Sequence, residues 1–188
     1  MKQVKVYIAG KISPDSIFKT EHWREQFCQQ LELLSKTKIV NLYSAKTQPF
    51  GNLNESNPYF IVGLDTHLLK QADLVIVNLT DDISVGASQE MLIAKYFKKP
   101  LIGLAPKGGR FVKEQKQIWG NTYENWTHPF VALSCDLIVH NLDDLAEAVQ
   151  KFARREILQV NIKTLSYLDE VSKIYEDEFL ELEKSIQK

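Results

Sequence analysis

Five short apolar runs rich in β-branched residues constrain the fold of this chain more than any other feature. They are Val4 to Ala9, Ile39 to Tyr43, Leu74 to Leu79, Leu101 to Leu104 and Leu137 to Val139. Runs that are continuously apolar, rather than alternating, suit strands buried on both faces. Between the first two, Trp23, Phe27, Leu31 and Leu34 fall on one face of a helix. Asn57 and Pro58 read as the N-cap and first position of a second helix, with Ile61, Leu64 and Leu68 at helical spacing. Further helices are expected from about Gly86 to Phe97, ahead of Lys99 and Pro100, and from Asp143 to about Arg155.

Parallel neighbouring strands need crossover connections, and alternating strands and helices supply them. The expected class is therefore α/β, a flavodoxin-like or Rossmann-like doubly wound sheet of five parallel strands with helices on both faces. From Ile157 to Lys188 the pattern changes. Leu165, Leu168, Val171, Ile174, Tyr175, Phe179, Leu182 and Ile186 recur at three- and four-residue steps among many charges. This tail reads as one C-terminal amphipathic helix that must bury its stripe, in a homo-oligomer ahead of its own domain. The domain expectation is an α/β domain over 1–156 and a helical extension over 157–188.

Composition narrows the partners. With 23 basic and 24 acidic residues the formal net charge is -1, so no overall field gathers nucleic acid or an anionic membrane. A small-molecule ligand is expected instead, any anionic part of it being met locally. Cys28 and Cys135 lie far apart and outside any CxxC pattern, which suggests neither a disulfide framework nor a zinc site. His22, His67, His128 and His140 show no ligand spacing, and no cofactor or metal is implied. No apolar run approaches the roughly 20 residues of a membrane helix, so a soluble, cytoplasmic protein is expected.

In sheets of this class the ligand sits beyond the carboxyl ends of the strands where their order reverses, which singles out the loops Gly10 to Ser16 and Thr80 to Ala87. The second runs through Ser84-Val85-Gly86-Ala87-Ser88-Gln89-Glu90-Met91, small residues entering a helix with a carboxylate read as lying in its first turn. Free N–H groups and the helix dipole there favour an anion and are expected to keep Glu90 ionised. An ionised carboxylate is the nucleophile that attack on an anomeric sugar carbon requires. Asp65 offers a second carboxyl, of the kind retaining glycosidases set about 5 Å from the first to protonate or hydrogen-bond the leaving group. The plain alternatives are a dipole or capping role for Glu90 and a solvated helix face for Asp65, beside His67 and Lys70. At the first strand, Gly10 and Lys11 bring a backbone turn and a cation toward the ligand, and Tyr7 walls the pocket. Gly108-Gly109-Arg110 reads as a solvated basic loop, and Trp119, Tyr123 and Trp126 as a packing cluster.

These segments carry a resemblance. YIAGKIS from Tyr7, DTHLLKQADLVIVNL from Asp65 to Leu79, and SVGASQE with the following MLIAKYFKKPLIGL are together similar to the nucleoside 2-deoxyribosyltransferase family. The match runs over roughly residues 4 to 105 and finds no counterpart for the tail. It implies a flavodoxin-like fold, Glu90 as the nucleophile and Asp65 as the upstream aspartate. Ser84 stands where the transferase branch has a sugar-binding aspartate. With Gly86 it looks more like the related 2′-deoxynucleoside 5′-phosphate N-hydrolases, which implies phosphate contacts for Ser84 and Gly86. The hydrolase branch also has an arginine near the position of Ser13, where this chain offers Lys11. His128-Pro129-Phe130-Val131 replaces the Asn and Met of the transferases, often supplied there by a neighbouring subunit. Cleavage of the N-glycosidic bond of a nucleoside or nucleotide is thus the implied activity, with hydrolase and transferase both open.

Overall fold

The computed structural model describes residues 3–11, 23–43 and 57–178. The order of elements is β1 (Gln3–Ala9), α1 (Trp23–Ser35), β2 (Lys38–Asn41), α2 (Pro58–Gln71), β3 (Leu74–Asn78), α3 (Val85–Tyr96) and β4 (Leu101–Leu104). There follow β5 (Val112–Ile118), β6 (Asn121–Thr127), α4 (Pro129–Ser134), β7 (Leu137–Val139), α5 (Leu142–Ala153) and α6 (Tyr167–Glu178). Five strands form one parallel sheet in the order β2-β1-β3-β4-β7, the flavodoxin-like order once the separate β5-β6 hairpin is set aside. All five apolar runs are strands of this sheet.

The period of two along each strand divides the core. Val4, Val6 and Ile8 of β1, with Leu74 and Ile76 of β3, pack with Trp23, Phe27 and Leu31 of α1 and Leu145 and Val149 of α5. Tyr7 and Ala9, with Val75 and Val77, face the opposite layer and pack with Leu69 of α2 and Met91 and Ala94 of α3. The helices start where their capping residues dictate. Asn57 accepts from the Tyr59 and Phe60 N–H groups ahead of Pro58, and Asn141 accepts from Asp144 N.

Three expectations need correction. On α1 the buried positions are Trp23, Arg24, Phe27, Cys28, Leu31 and Ser35, whereas Leu34 is 43% exposed. The true stripe follows i, i+3, i+4 and i+7 from Arg24, which leaves Leu34 on its flank. Next, β5 and β6 form an antiparallel hairpin through the two-residue turn Trp119-Gly120, whose φ values of 48° and 82° follow the type I′ pattern. Trp119 at its tip is 99% exposed, Tyr123 is 47% exposed and Trp126 instead meets the His128 ring edge-on at 5.8 Å, so the three aromatics form no packing cluster.

The tail is the third. It is not one helix from Ile157: positive φ at Arg155, Leu158 and Asn161 turns the chain, and α6 begins only at Tyr167. The intervening segment packs on its own domain, with Ile157 and Leu158 against the α1-α5 layer and Lys163 Nζ donating to Ala132 O and Cys135 O. Tyr167 is buried, its hydroxyl 3.2 Å from Ser134 Oγ. Leu168, Ile174 and Tyr175 of α6 remain exposed, while Phe179, Leu182 and Ile186 lie outside the described residues. Among the described residues no helix is long and apolar enough to cross a membrane.

Candidate active site

Strand alternation decides where Tyr7 points. As an odd-numbered residue of β1 it belongs to the layer covered by α2 and α3, and those two helices carry Asp65 and Glu90. Its hydroxyl is buried beside both carboxyls and favours their ionised forms. Among the described residues neither the buried Tyr7 hydroxyl nor the buried Glu90 Oε2 finds a hydrogen-bond partner. A buried carboxylate oxygen and a phenol left unsatisfied by the protein are groups a ligand can engage.

Glu90 lies one turn deeper in its helix than the sequence suggested. α3 starts at Val85 with Ser84 as N-cap, Ser84 Oγ accepting from Ala87 N at 3.1 Å, so Glu90 is the sixth helical residue rather than a first-turn one. The dipole therefore does not govern its charge. Burial raises the Glu90 carboxyl to about 7, and the negative charge of Asp65 adds to the rise, against opposing contributions from Tyr7 and Arg24. Asp65, half-buried, is also raised, chiefly by desolvation, and is drawn back by the same tyrosine and arginine. Tyr7 in turn is held neutral by burial and by the two carboxylates it faces.

Arg24 completes this group and was not singled out in the sequence. It is 7% exposed, donating from Nε to Ile8 O at 2.9 Å and from Nη2 to Gly10 O at 3.0 Å. Its guanidinium lies 4.7 Å from the Trp23 ring centroid and 4.8 Å from that of Tyr43. Tyr43 meets Tyr7 edge-on at 5.9 Å. The signal available in the sequence was weak: an arginine next to Trp23 on a helix reads as a solvated flank unless its reach around the end of β1 is known.

The expected binding residues divide by role. Gly10 sits in tight packing, since a Cβ there would meet Trp23 Cη2 at 3.0 Å and Asn78 Cβ at 3.3 Å and push these neighbours back by a few tenths of an ångström, while its carbonyl anchors Arg24. Lys11 follows it and is exposed. Gly86 is exposed, and a Cβ would approach only Ser84 Oγ at 3.9 Å, so no internal contact demands glycine at this position. Ser84 has its acceptor committed to the cap and keeps its O–H available to donate. Arg110, in the loop after β4, pairs with Asp82 at 3.4 Å and thereby joins the loops that follow β3 and β4.

No protein-family model matches the sequence, and no curated protein does. Solved structures are similar in fold. A conserved protein from Enterococcus faecalis superposes with a TM-score of 0.55 at 16% identity, covering 80% of this chain and 99% of that one. A 2-deoxyribosyltransferase from Bacillus psychrosaccharolyticus gives a TM-score of 0.48 at 13% identity, over 76% of this chain and 90% of that one. A CMP N-glycosidase from Clostridium botulinum gives 0.41 at 14% identity, over 77% and 97%. At these identities the likeness concerns the fold.

Proposed function

We propose that this chain cleaves the N-glycosidic bond of a nucleoside or nucleotide through a glycosyl intermediate on Glu90. The observation that carries the reading is the group itself: two carboxyls from different helices, both raised by burial, facing one neutral tyrosine hydroxyl at the carboxyl end of a parallel sheet. Two interacting carboxyls lose their protons in steps that belong to the pair. Between those steps one carboxyl is ionised and one is protonated, which is the complement a retaining glycosidic reaction uses.

In this scheme the proton that Glu90 holds in the free chain up to about pH 7 passes to Asp65 when substrate binds, and Glu90, then ionised, attacks the anomeric carbon as the bond to the base breaks. Asp65 gives its proton or a hydrogen bond to the departing base. The Tyr7 hydroxyl, facing both, stabilises the carboxylate that remains. Water then releases the sugar, or a second base accepts it. Ser84, Gly86, Gly10 and Lys11 border the substrate in this reading, with the free Ser84 hydroxyl and the open backbone at Gly86 suited to the sugar or its 5′-phosphate.

Deoxynucleosides and ribonucleosides, each with and without a 5′-phosphate, are incubated with the protein across pH 5 to 9, with and without a free acceptor base. Release of base from one class, and its abolition in Glu90→Ala, is the expected result. No release from any of them would overturn the reading. A second reading, a nucleotide-binding module without catalysis, draws on the exposed apolar positions of α6 and predicts binding that Glu90→Ala leaves intact with no product.

A further inference from the structure

We propose that Arg24 is a positioning residue, a fixed buried cation that keeps the Tyr7 hydroxyl and the Asp65-Glu90 pair in working arrangement from behind β1. The inference rests on the reaction assigned to Glu90 above.

The guanidinium is fixed by four contacts of independent origin. Two are carbonyls at the end of β1, Ile8 O and Gly10 O, and two are the faces of Trp23 from α1 and Tyr43 beyond β2. Among the described residues no carboxylate forms an ion pair with it. A buried guanidinium without a direct counter-ion is costly, and such a group persists where the surrounding charge distribution compensates it. The Asp65-Glu90 pair supplies that compensation. The charged and titratable groups facing this centre are Tyr7 from β1, Asp65 from α2, Glu90 from α3 and Arg24 itself from α1, and the positive charge favours the ionised form of each of the other three. One cation thus stands against two carboxyls, and the net charge of the buried group is close to zero when the pair shares one proton.

The mechanical link runs through Tyr43, whose ring carries Arg24 on its face and meets Tyr7 edge-on. Arg24 therefore acts in two ways at once, by charge on the carboxyls and by packing on the phenol between them. It touches no reacting atom. Gly10 is part of the device, because the missing Cβ lets Trp23 close tightly over the strand end where the guanidinium docks.

The test separates this role from plain stability. The full chain is labelled with carboxyl-13C glutamate and titrated by NMR, Glu90→Gln assigning the Glu90 signal. In Arg24→Met the Glu90 titration is expected to move to higher pH by about one pH unit, the scale on which a nearby opposite charge acts in a buried site. Arg24→Lys, which keeps the charge, restores most of it. If Arg24→Met does not fold, Tyr43→Leu, which frees one face of the guanidinium, is expected to shift the signal in the same direction by less. An unmoved Glu90 signal in the folded variant, or an equal shift in Arg24→Lys and Arg24→Met, overturns the proposal. Because the titration needs no substrate, a shifted signal without base release would sink the assigned reaction and leave the role of Arg24 standing.

Discussion

Below the ordinary glutamate range both the folded and the unfolded chain keep Glu90 protonated, and the residue contributes nothing to the pH dependence of stability. As pH rises the unfolded chain releases this proton first, near 4.5, while the folded chain holds it to about 7. Stability is therefore lost across that window, on the order of 3 kcal/mol once Glu90 is ionised. Glu90→Gln removes the loss, and thermal melts should show the variant more stable than the parent at pH 8 and close to it at pH 5, with turnover abolished in both conditions. For the reaction, kcat/KM should fall above about pH 7 as the pair gives up its last proton. In Tyr7→Phe both carboxyls lose the hydroxyl that favours their charged forms. Its pH profile should accordingly be displaced toward higher pH, and an undisplaced profile would remove Tyr7 from the site.

The helices that carry the carboxyls can be tested through their caps. Asn57 satisfies two N–H groups at the start of α2, and Asn57→Ala should lower stability by about 1 kcal/mol in denaturant titrations. Ser84 has both a capping and a proposed ligand role, and two substitutions distinguish them. Glycine is nearly as good a cap as serine, so Ser84→Gly should cost only a few tenths of a kcal/mol where Ser84→Ala costs about 1 kcal/mol. If the hydroxyl also binds substrate, both variants should raise KM alike, and recovery of KM in Ser84→Gly would leave Ser84 as a cap alone. The hairpin shows why element-level pattern fails where both faces meet water. The strands VKEQKQI and NTYENWT are mostly polar, and what specifies them is the left-handed turn at Trp119-Gly120 rather than a buried stripe.

Across the molecule, a buried charge network joins α3, the sheet and the tail. Lys95, fully buried, pairs with Asp136, which also accepts from Leu101 N at 2.7 Å and from Lys163 N at 2.8 Å. Lys95→Met would leave Asp136 buried beside apolar neighbours, and the expected loss is about 3–5 kcal/mol, read as a fall in the denaturation midpoint with an unchanged m-value. Lys163 belongs to the same network, so the segment before α6 should become more accessible to protease in that variant. The part of the tail expected to seek a partner is in this way committed to its own domain, while Leu168, Ile174 and Tyr175 stay exposed.

The sequence alone determined the sheet and put Glu90 and Asp65 forward as the candidate carboxyls. Five apolar runs of strand length, separated by helical periodicity and by Asn and Pro at helix starts, leave few arrangements other than a parallel sheet covered on both faces. The loop through Ser84, with Asp65 upstream, marked the candidate site in advance. What depended on the tertiary structure was every property that arises between elements. The Glu90 carboxyl is raised by burial and by the nearby charge of Asp65, against the opposing pull of Tyr7 and Arg24, and not by its place in a helix. Arg24 becomes part of the site only because its side chain reaches around the end of β1 to two carbonyls. These are effects of desolvation and of charges brought together from distant positions, and local pattern carries neither.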